Sequence, residues 1–311
     1  MAVVFHADDY GITARQAQAI LALSDACGGH GALRSVSIFA NSPAFEEAAT
    51  LAAPHVEAGR LRMALHVNLV EGRPCAPARD VPLLVNERGT FGNDFVGLLK
   101  LSLGPHRAEL RAQVQRECEA QLSCFLAAFP QLRDALRVDS HQHPHAIPAV
   151  FDGVLAAVHA QGCTLAHLRT PVEPTAPHRV AARARQAAGL PAAAPLPPIN
   201  RVKAALLAAL WRANRAKLPA GCATSLFCGV LLSGCMERVD APLVHAFAEE
   251  AQRRSQDAEL LFHPVSVPIA ECLDPENAPF AEACASAGRD AEAHALVRLA
   301  EMAAPRQRAN G

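Results

Sequence analysis

Short apolar runs rich in β-branched and aromatic residues alternate along the chain with longer segments of helical periodicity. The first run, Val3 to Phe5, predicts a strand that ends near Gly11, and a helix-periodic segment, ARQAQAILALSDACGGHG, follows it. The same order then repeats, with strands predicted at 32–41, 61–72, 136–143, 164–171, 224–232 and 258–266, and helices at 42–59, 105–129, 149–162, 203–217 and 240–254. In the helix at 42–59, Ser42 is the expected N-cap and Pro43 the first helical residue.

Repeated strand-then-helix units predict a parallel sheet or barrel that is covered by helices. Such folds carry their functional residues at the carboxyl ends of the strands. We therefore expect an α/β, (β/α)-barrel-like fold in one domain over residues 1–300. Residues 171–200 are rich in Pro and Ala and predict a long loop or insertion, and residues 301–311 predict a disordered tail.

Polar clusters interrupt the apolar runs at three predicted strand ends. They are Asp8-Asp9, His66-Val67-Asn68 and the segment 139–143, DSHQH. Two adjacent carboxylates repel each other unless a cation, or a division between an acid and a base, resolves the conflict. The alternative for the Asp pair is a solvated turn or a helix N-cap, and the pair alone does not exclude it.

The histidines also allow two interpretations, as metal ligands or as ordinary structural residues. In an extended segment His141, His143 and His145 would point to the same side, as metal ligands at a strand end do, although a surface loop can also carry them. His66 and His263, each taken alone, are compatible with ordinary hydrogen-bonded histidines. Together the polar residues favour a metal, because burying each separately is costly and one divalent cation would satisfy them all. One Asp and two His with open positions form the ligand set of a hydrolytic metal centre.

Composition excludes several classes of function. The 311 residues have a net charge of −1 and are 51% hydrophobic, so the chain offers no broad basic field for nucleic acid. The ten cysteines show no C-x-x-C spacing, which indicates free thiols. The N-terminus lacks the pattern of a signal peptide and no window predicts a membrane span, so we expect a cytoplasmic protein. The basic helix at 203–217 could touch a membrane surface or an anionic ligand, or present a solvated face.

Seven motifs together resemble one known family. In order, HADDYGIT, SVSIFANSPAFEEAA, LHVNLVEGRP, VDSHQHPHAIP, LRTP, FCGVLLSG and LLFHPVS match the landmarks of the YdjC-like (ChbG-type) carbohydrate deacetylases from about residue 3 to residue 265. The resemblance implies a (β/α)-barrel-like fold and a metal-dependent hydrolase that removes acetyl groups from N-acetylated sugars. It departs from the family pattern at Ala17, where Asn is usual, and at Val265, where Gly or Ala is usual.

Carried over to this chain, the resemblance implies a role for five residues. Asp9, His66 and His141 would be metal ligands, Asp8 the general base and His263 the general acid, with His143 outside the ligand set. The implied cofactor is a divalent metal ion such as Mg or Zn, and the implied partner is a small N-acetylated sugar or glycoside. The rival interpretations are a metal-dependent hydrolase of a phosphoester or cyclic amide, and a non-catalytic sugar-binding barrel. The sequence leaves open the identity of the sugar and whether the protein forms a homodimer.

Overall fold

A computed structural model describes residues 2–303 as seven strands and ten α-helices. The strands are β1 (Val3–Tyr10), β2 (Leu33–Ile38), β3 (Arg62–Val67), β4 (Leu136–Ser140), β5 (Leu165–Leu168), β6 (Leu226–Cys228) and β7 (Ala258–Phe262). The helices are α1 (Ala14–Gly29), α2 (Phe45–Glu57), α3 (Phe95–Leu103), α4 (Arg107–Ala128), α5 (Pro148–Ala160), α6 (Ala176–Ala187), α7 (Pro198–Asn214), α8 (Ala241–Arg254), α9 (Ala278–Cys284) and α10 (Ala287–Ala303).

All seven strands belong to one parallel sheet in the order β5-β4-β3-β2-β1-β7-β6. The two edge strands approach each other, because Ala223, just before β6, exchanges backbone hydrogen bonds with Ala166 and Leu168 of β5. The sheet therefore curls towards closure. This confirms the predicted α/β, (β/α)-barrel-like single domain.

The apolar strand sequences follow from burial of the sheet on both faces. Every residue of β7 is buried, and so are the last five residues of β1, which include the polar His6, Asp8 and Asp9. Strands enclosed between helices and a barrel interior need no polar face, which explains continuous apolar runs rather than alternation. The longest predicted helix, 105–129, is confirmed as α4, and its contacts with α5 cover the outside of the sheet.

Two predicted segments differ from the structure. Residues 171–200 are not one loop, because they contain α6 and the start of α7; the Ala- and Arg-rich sequence favours a helix, and Pro177 lies in its first turn. Helix α2 begins at Phe45, and the Ser42 hydroxyl accepts from the backbone N–H of Ala44 in the turn before it, so the predicted cap is wrong. Of the predicted tail, 301–303 belong to α10 and the remainder lies outside the described residues.

None of the helices within residues 2–303 has the length and apolar character needed to cross a membrane.

Candidate metal centre

Four of the predicted site residues converge at the carboxyl ends of three strands, β1, β3 and β4, with β2 between β1 and β3. Asp8 and Asp9 come from the end of β1, His66 from β3, and His141 follows β4 directly. Asp139 lies opposite His66 in the β3–β4 pairing. Parallel pairing places these ends at one edge of the sheet, so residues distant in sequence share one site.

The backbone at Asp9 explains how adjacent carboxylates share that site. Successive side chains of a regular strand point to opposite faces. Asp9 has a φ of 59°, in the left-handed region, and the pairing of β1 with β2 is irregular between Ala7 and Tyr10. The side-chain amide of Gln16 donates to the Asp9 carbonyl at 2.8 Å and its oxygen accepts from the backbone of Gly11 and Ile12, which fixes this turn.

Asp9, His66 and His141 form a compact, buried cluster of metal-ligating groups. One ligand atom from each lies within 4.8 Å of the others. Asp9 Oδ1 is 3.0 Å from His141 Nδ1 and 3.4 Å from His66 Nε2. The Nε2 atoms of both histidines are buried and have no hydrogen-bond partner among the described residues. Such orphaned ring nitrogens are expected where a cation binds, so the donor set fits a divalent ion.

Asp139 orients His66 towards this cluster. The Nδ1 atom of His66 lies 2.5 Å from Asp139 Oδ1, and a carboxylate can only accept, so Nδ1 carries the proton. The other nitrogen, Nε2, then faces Asp9. A carboxylate behind a ligating histidine is the usual support of a metal site. The sequence marked Asp139 as part of a polar cluster and gave no signal for this role.

Behind the cluster, Arg169 pairs with three buried carboxylates, those of Asp8, Asp139 and Glu259. Its Nη1 and Nη2 donate to the two oxygens of Asp8 at 2.7 and 2.8 Å, its Nη2 also lies 2.8 Å from Asp139, and its Nε donates to Glu259 at 2.6 Å. Arg169 is 1% exposed. Burial would raise the pKa of Asp8, but Arg169 and the neighbouring histidines hold that pKa well below its ordinary value. Asp8 is therefore ionised at neutral pH.

The charges around His66 and Asp9 favour the binding of a cation. Burial would lower the pKa of His66, yet Asp8 and Asp139 raise it to about 10. Burial would raise the pKa of Asp9, yet His141 and Arg289 hold it well below the usual range, with Arg289 Nη2 at 2.5 Å from Asp9. Excess negative charge thus surrounds His66 Nε2, and a divalent cation would replace the proton held there.

A cavity of about 820 Å³ opens in front of the cluster. Asp8, Asp9 and His141 form part of its floor, and its walls include the carboxylates Glu71 and Glu292, the amides Asn86 and Asn93, and the basic residues Lys203 and Arg289. Burial raises the pKa of Glu71 to about 8, although Asn277 and Gln142 donate to it. Polar walls of mixed charge suit a hydroxyl-rich ligand.

His263 reaches the same cavity from the end of β7. It follows Phe262, and its backbone N–H donates to Glu292. Burial lowers the pKa of His263 to about 4, so the imidazole rests neutral at neutral pH. Val265, two residues on, has a φ of 73°, a conformation that favours glycine, which gives a structural meaning to this departure from the family pattern.

The other histidines of the 141–145 segment do not align with His141, which corrects the expectation of an extended segment. Gln142 and His143 have φ values of 60° and 64°, and a short 3₁₀ turn follows. His145 bonds instead to Ser140 and to the carbonyl of Arg169. His143 lines the cavity, packs edge-on against Phe227, and has an unpartnered Nδ1 among the described residues.

Two further groups of metal-ligating side chains are already satisfied. Glu173, His178 and Cys228 lie together, but one Glu173 oxygen accepts three backbone N–H groups, from residues 229 to 231, and the other bonds to His178. His6, Asp8 and Asp139 form the other group, which Arg169 neutralises. Among the described residues, neither group contains a buried ring nitrogen without a hydrogen-bond partner, unlike the cluster of Asp9, His66 and His141.

The comparisons with known proteins agree with this fold and identify a family. A model of the family described as YdjC-like protein matches residues 2–304. A human carbohydrate deacetylase is 36% identical over 169 residues, 54% of this chain and 48% of its own length, and one from Geobacillus stearothermophilus is 34% identical over 148 residues, 48% and 52% of the two chains. A chitooligosaccharide deacetylase of Serratia marcescens is 27% identical over 168 residues, 52% and 58% of the two chains.

These matches span about half the length of the curated relatives. Similarity to a solved structure extends further. The crystal structure of a candidate cellobiose-phosphate cleavage protein from Enterococcus faecalis has a TM-score of 0.56, 18% identity and coverage of 97% of this chain and 93% of that one. At this identity the likeness establishes the fold.

Proposed function

The chain belongs to the YdjC-like protein family, and from that membership we propose that it is a metal-dependent deacetylase of an N-acetylated sugar. Hydrolysis of the acetamide would release acetate and leave a free amine on the sugar. The family relatives named carbohydrate and chitooligosaccharide deacetylases support this proposal. The single observation that carries it is the cluster of Asp9, His66 and His141 with its two orphaned Nε2 atoms at the floor of a polar cavity.

In this proposal Asp9, His66 and His141 hold a divalent cation. An ion held there would act as a Lewis acid towards the acetamide carbonyl. An Asp-His-His set is compatible with Mg, Zn, Mn or Co, and Mg and Zn are our leading candidates. Asp139 keeps His66 in the tautomer that leaves Nε2 free for the ion. Arg289 donates a hydrogen bond to Oδ2 of Asp9 and so fixes its orientation.

Asp8 is the proposed general base. It lies beside the cluster, 3.9 Å from His66 Nε2, and it lines the cavity. A base must be ionised before it can take the proton of the attacking water, and the two hydrogen bonds from Arg169 keep Asp8 ionised. The same hydrogen bonds lower the basicity of Asp8, so the proton has to be transferred while the water attacks and not before.

His263 is the proposed general acid. The amide nitrogen is a poor leaving group until it is protonated, so a donor must face it across the cavity. Because the resting imidazole is neutral, His263 has to take up its proton during the reaction, and the proton removed from water by Asp8 is the available one. The proton that Asp8 takes from water thus reaches the leaving amine through His263, so the hydrolysis needs no further proton.

An assay of acetate and free amine tests the proposal. We expect the purified chain, loaded with Mg, Zn, Mn or Co, to release both products from N-acetylglucosamine oligosaccharides, and a chelator to stop the release. Asp8→Asn should abolish turnover and retain the metal. If no N-acetyl sugar in a broad panel is hydrolysed while a phosphoester or a cyclic amide is, the deacetylase assignment is wrong. The predicted cytoplasmic location and a homodimer stay predictions.

A further inference from the structure

Helix α7 presents an apolar stripe to solvent. Ile199 is 71% exposed, Val202 64% and Leu206 39%, and their spacing of three and four residues places them on one face. The opposite side of the helix is buried through Leu207, Trp211 and Asn214. Five of the nine large hydrophobic side chains exposed among the described residues belong to one stretch of sequence, namely Val180, Leu190, Ile199, Val202 and Leu206.

That stretch is also strongly basic. Residues 174–236 contain no Asp or Glu, although the chain has 30 of them, and they carry eight basic residues: Arg179, Arg183, Arg185, Arg201, Lys203, Arg212, Arg215 and Lys217. Within the described residues only Arg185 and Lys217 of these eight form ion pairs, with Asp240 and Asp152. Arg201, Arg212 and Arg215 are exposed. A chain with a net charge of −1 thus has an excess of positive charge in the stretch of sequence that contains the apolar stripe.

The stripe adjoins the candidate active site. Lys203 lines the cavity, and its neighbour Val202 belongs to the stripe. Asn200 donates to the carbonyls of Leu231 and Ser233, which ties the start of α7 to the loop that carries the cavity residues Gly229, Ser233 and Gly234. The stripe and a cavity-lining residue therefore belong to the same turn of α7.

The charge of α7 distinguishes two possible occupants of the stripe, a second copy of the chain and a lipid surface. A symmetric dimer through α7 would bring the same face of each copy together, so the exposed Arg201 and Arg212 of one copy would lie near those of the other. An anionic lipid surface complements both features, because apolar side chains enter the headgroup boundary while Arg and Lys contact lipid phosphates. We propose that α7 and its basic surroundings dock the protein on an anionic membrane, and that the substrate is an N-acetylated sugar carried on a lipid.

This proposal rests on the deacetylase function and adds the carrier of its substrate. Its probe is a pair of vesicles, phosphatidylcholine alone and phosphatidylcholine mixed with phosphatidylglycerol. The full chain should sediment with the anionic vesicles and not with the neutral ones, and salt should weaken the binding. The triple variant Ile199→Ser, Val202→Ser, Leu206→Ser should bind at least about tenfold more weakly. The double variant Arg201→Ala, Arg212→Ala retains the stripe and should lose about fivefold per arginine.

Matched controls separate docking from general surface damage. Ile269, 49% exposed and outside the stretch, gives Ile269→Ser, and the exposed Arg60 gives Arg60→Ala; both should bind vesicles like the unaltered chain. All variants should release acetate from soluble N-acetyl sugars at the same rate, because the altered residues do not line the cavity. On a glycolipid substrate in anionic vesicles, only the α7 variants should slow.

Three results would overturn the docking proposal. The chain could fail to sediment with anionic vesicles, the α7 variants could bind as tightly as the unaltered chain, or the chain could form a dimer that the triple variant converts to a monomer. If acetate release from soluble sugars persists in these cases, the deacetylase function stands without the docking. If vesicles are bound as expected but no sugar is deacetylated, the proposed function fails and the docking surface remains.

Discussion

Arg169 holds three buried carboxylates together behind the candidate metal centre. Asp8 bonds to Nη1 and Nη2 of its guanidinium, Asp139 to Nη2 and Glu259 to Nε, and all four side chains are nearly inaccessible to solvent. A lysine has one ammonium and cannot replace this planar set of donors. Removing the cation would leave buried negative charge without a partner, and such losses are strongly destabilising.

We therefore expect Arg169→Met to lower the free energy of unfolding by about 3–5 kcal/mol, and Arg169→Lys to recover only part of it. Urea unfolding followed by circular dichroism measures both. The exposed Arg60→Met serves as the control and should change little. An Arg169→Met protein that unfolds at the same urea concentration as the unaltered chain would refute the role given to Arg169.

At the residue scale the sequence identified residues that the structure brings together, and it missed their supports. Asp9, His66 and His141 interrupt apolar runs, so their burial needed an explanation that a shared cation provides. Arg289 lies in a helix of ordinary composition, and its contact with Asp9 spans 280 positions of sequence. No local pattern encodes such a contact. The roles of Asp8 and His263 stay predictions.

At the scale of elements, Glu173 fixes the loop that follows β6. Its Oε2 accepts from the backbone N–H groups of Gly229, Val230 and Leu231 at 2.7 to 3.0 Å. Gly229, Ser233 and Gly234 of the same loop line the cavity. Glu173 thus acts as a positioning residue for one wall of the cavity.

Glu173→Gln should loosen this wall, because a neutral oxygen accepts the three bonds more weakly than a carboxylate. We expect KM for an N-acetyl sugar to rise by about fivefold to tenfold, with little change in metal affinity. Steady-state kinetics and metal titration on the same preparation test this split. Glu249→Gln, on the exposed side of α8, is the control. An unchanged KM would show that Glu173 does not position the wall.

Elements were predictable where an apolar run or a helix-periodic segment was bounded by turn residues. Helix α4 and all seven strands follow from such patterns. The segment 171–200 was misread because its prolines suggested a loop, whereas Ala and Arg between them support α6. The segment 141–145 was misread because left-handed residues at Gln142 and His143 leave no signal in sequence periodicity.

At the scale of the whole molecule, Glu117 links α4 to the long connection after β3. It accepts from the backbone of Cys75 and Ala76 and from Gln121, and it is fully buried. Burial raises the pKa of Glu117 from 4.5 to about 7, against the lowering effect of these hydrogen bonds. The folded state therefore binds this proton more tightly than the unfolded chain does, so its contribution to stability is present below pH 4.5 and is lost as the pH rises towards 7.

We expect Glu117→Gln to remove that dependence. The free energy of unfolding of the unaltered chain without metal should fall more steeply across this pH range than that of the variant. Urea titrations at several pH values measure the difference, which isolates Glu117 from other titrating groups. Glu119→Gln on the same helix is the control. Equal slopes for Glu117→Gln and the unaltered chain would show that the carboxyl titrates alike in both states.

Calorimetric metal titration is the most direct test of whether Asp9, His66 and His141 together hold one cation. The unaltered chain should bind one divalent ion per molecule. Asp9→Asn, His66→Ala and His141→Ala should each weaken that binding by more than about a hundredfold with the fold preserved, whereas His143→Ala should bind nearly as the unaltered chain does. Full metal affinity in any one of the three ligand variants, or loss of binding only in His143→Ala, would show that these three residues do not form the cation site.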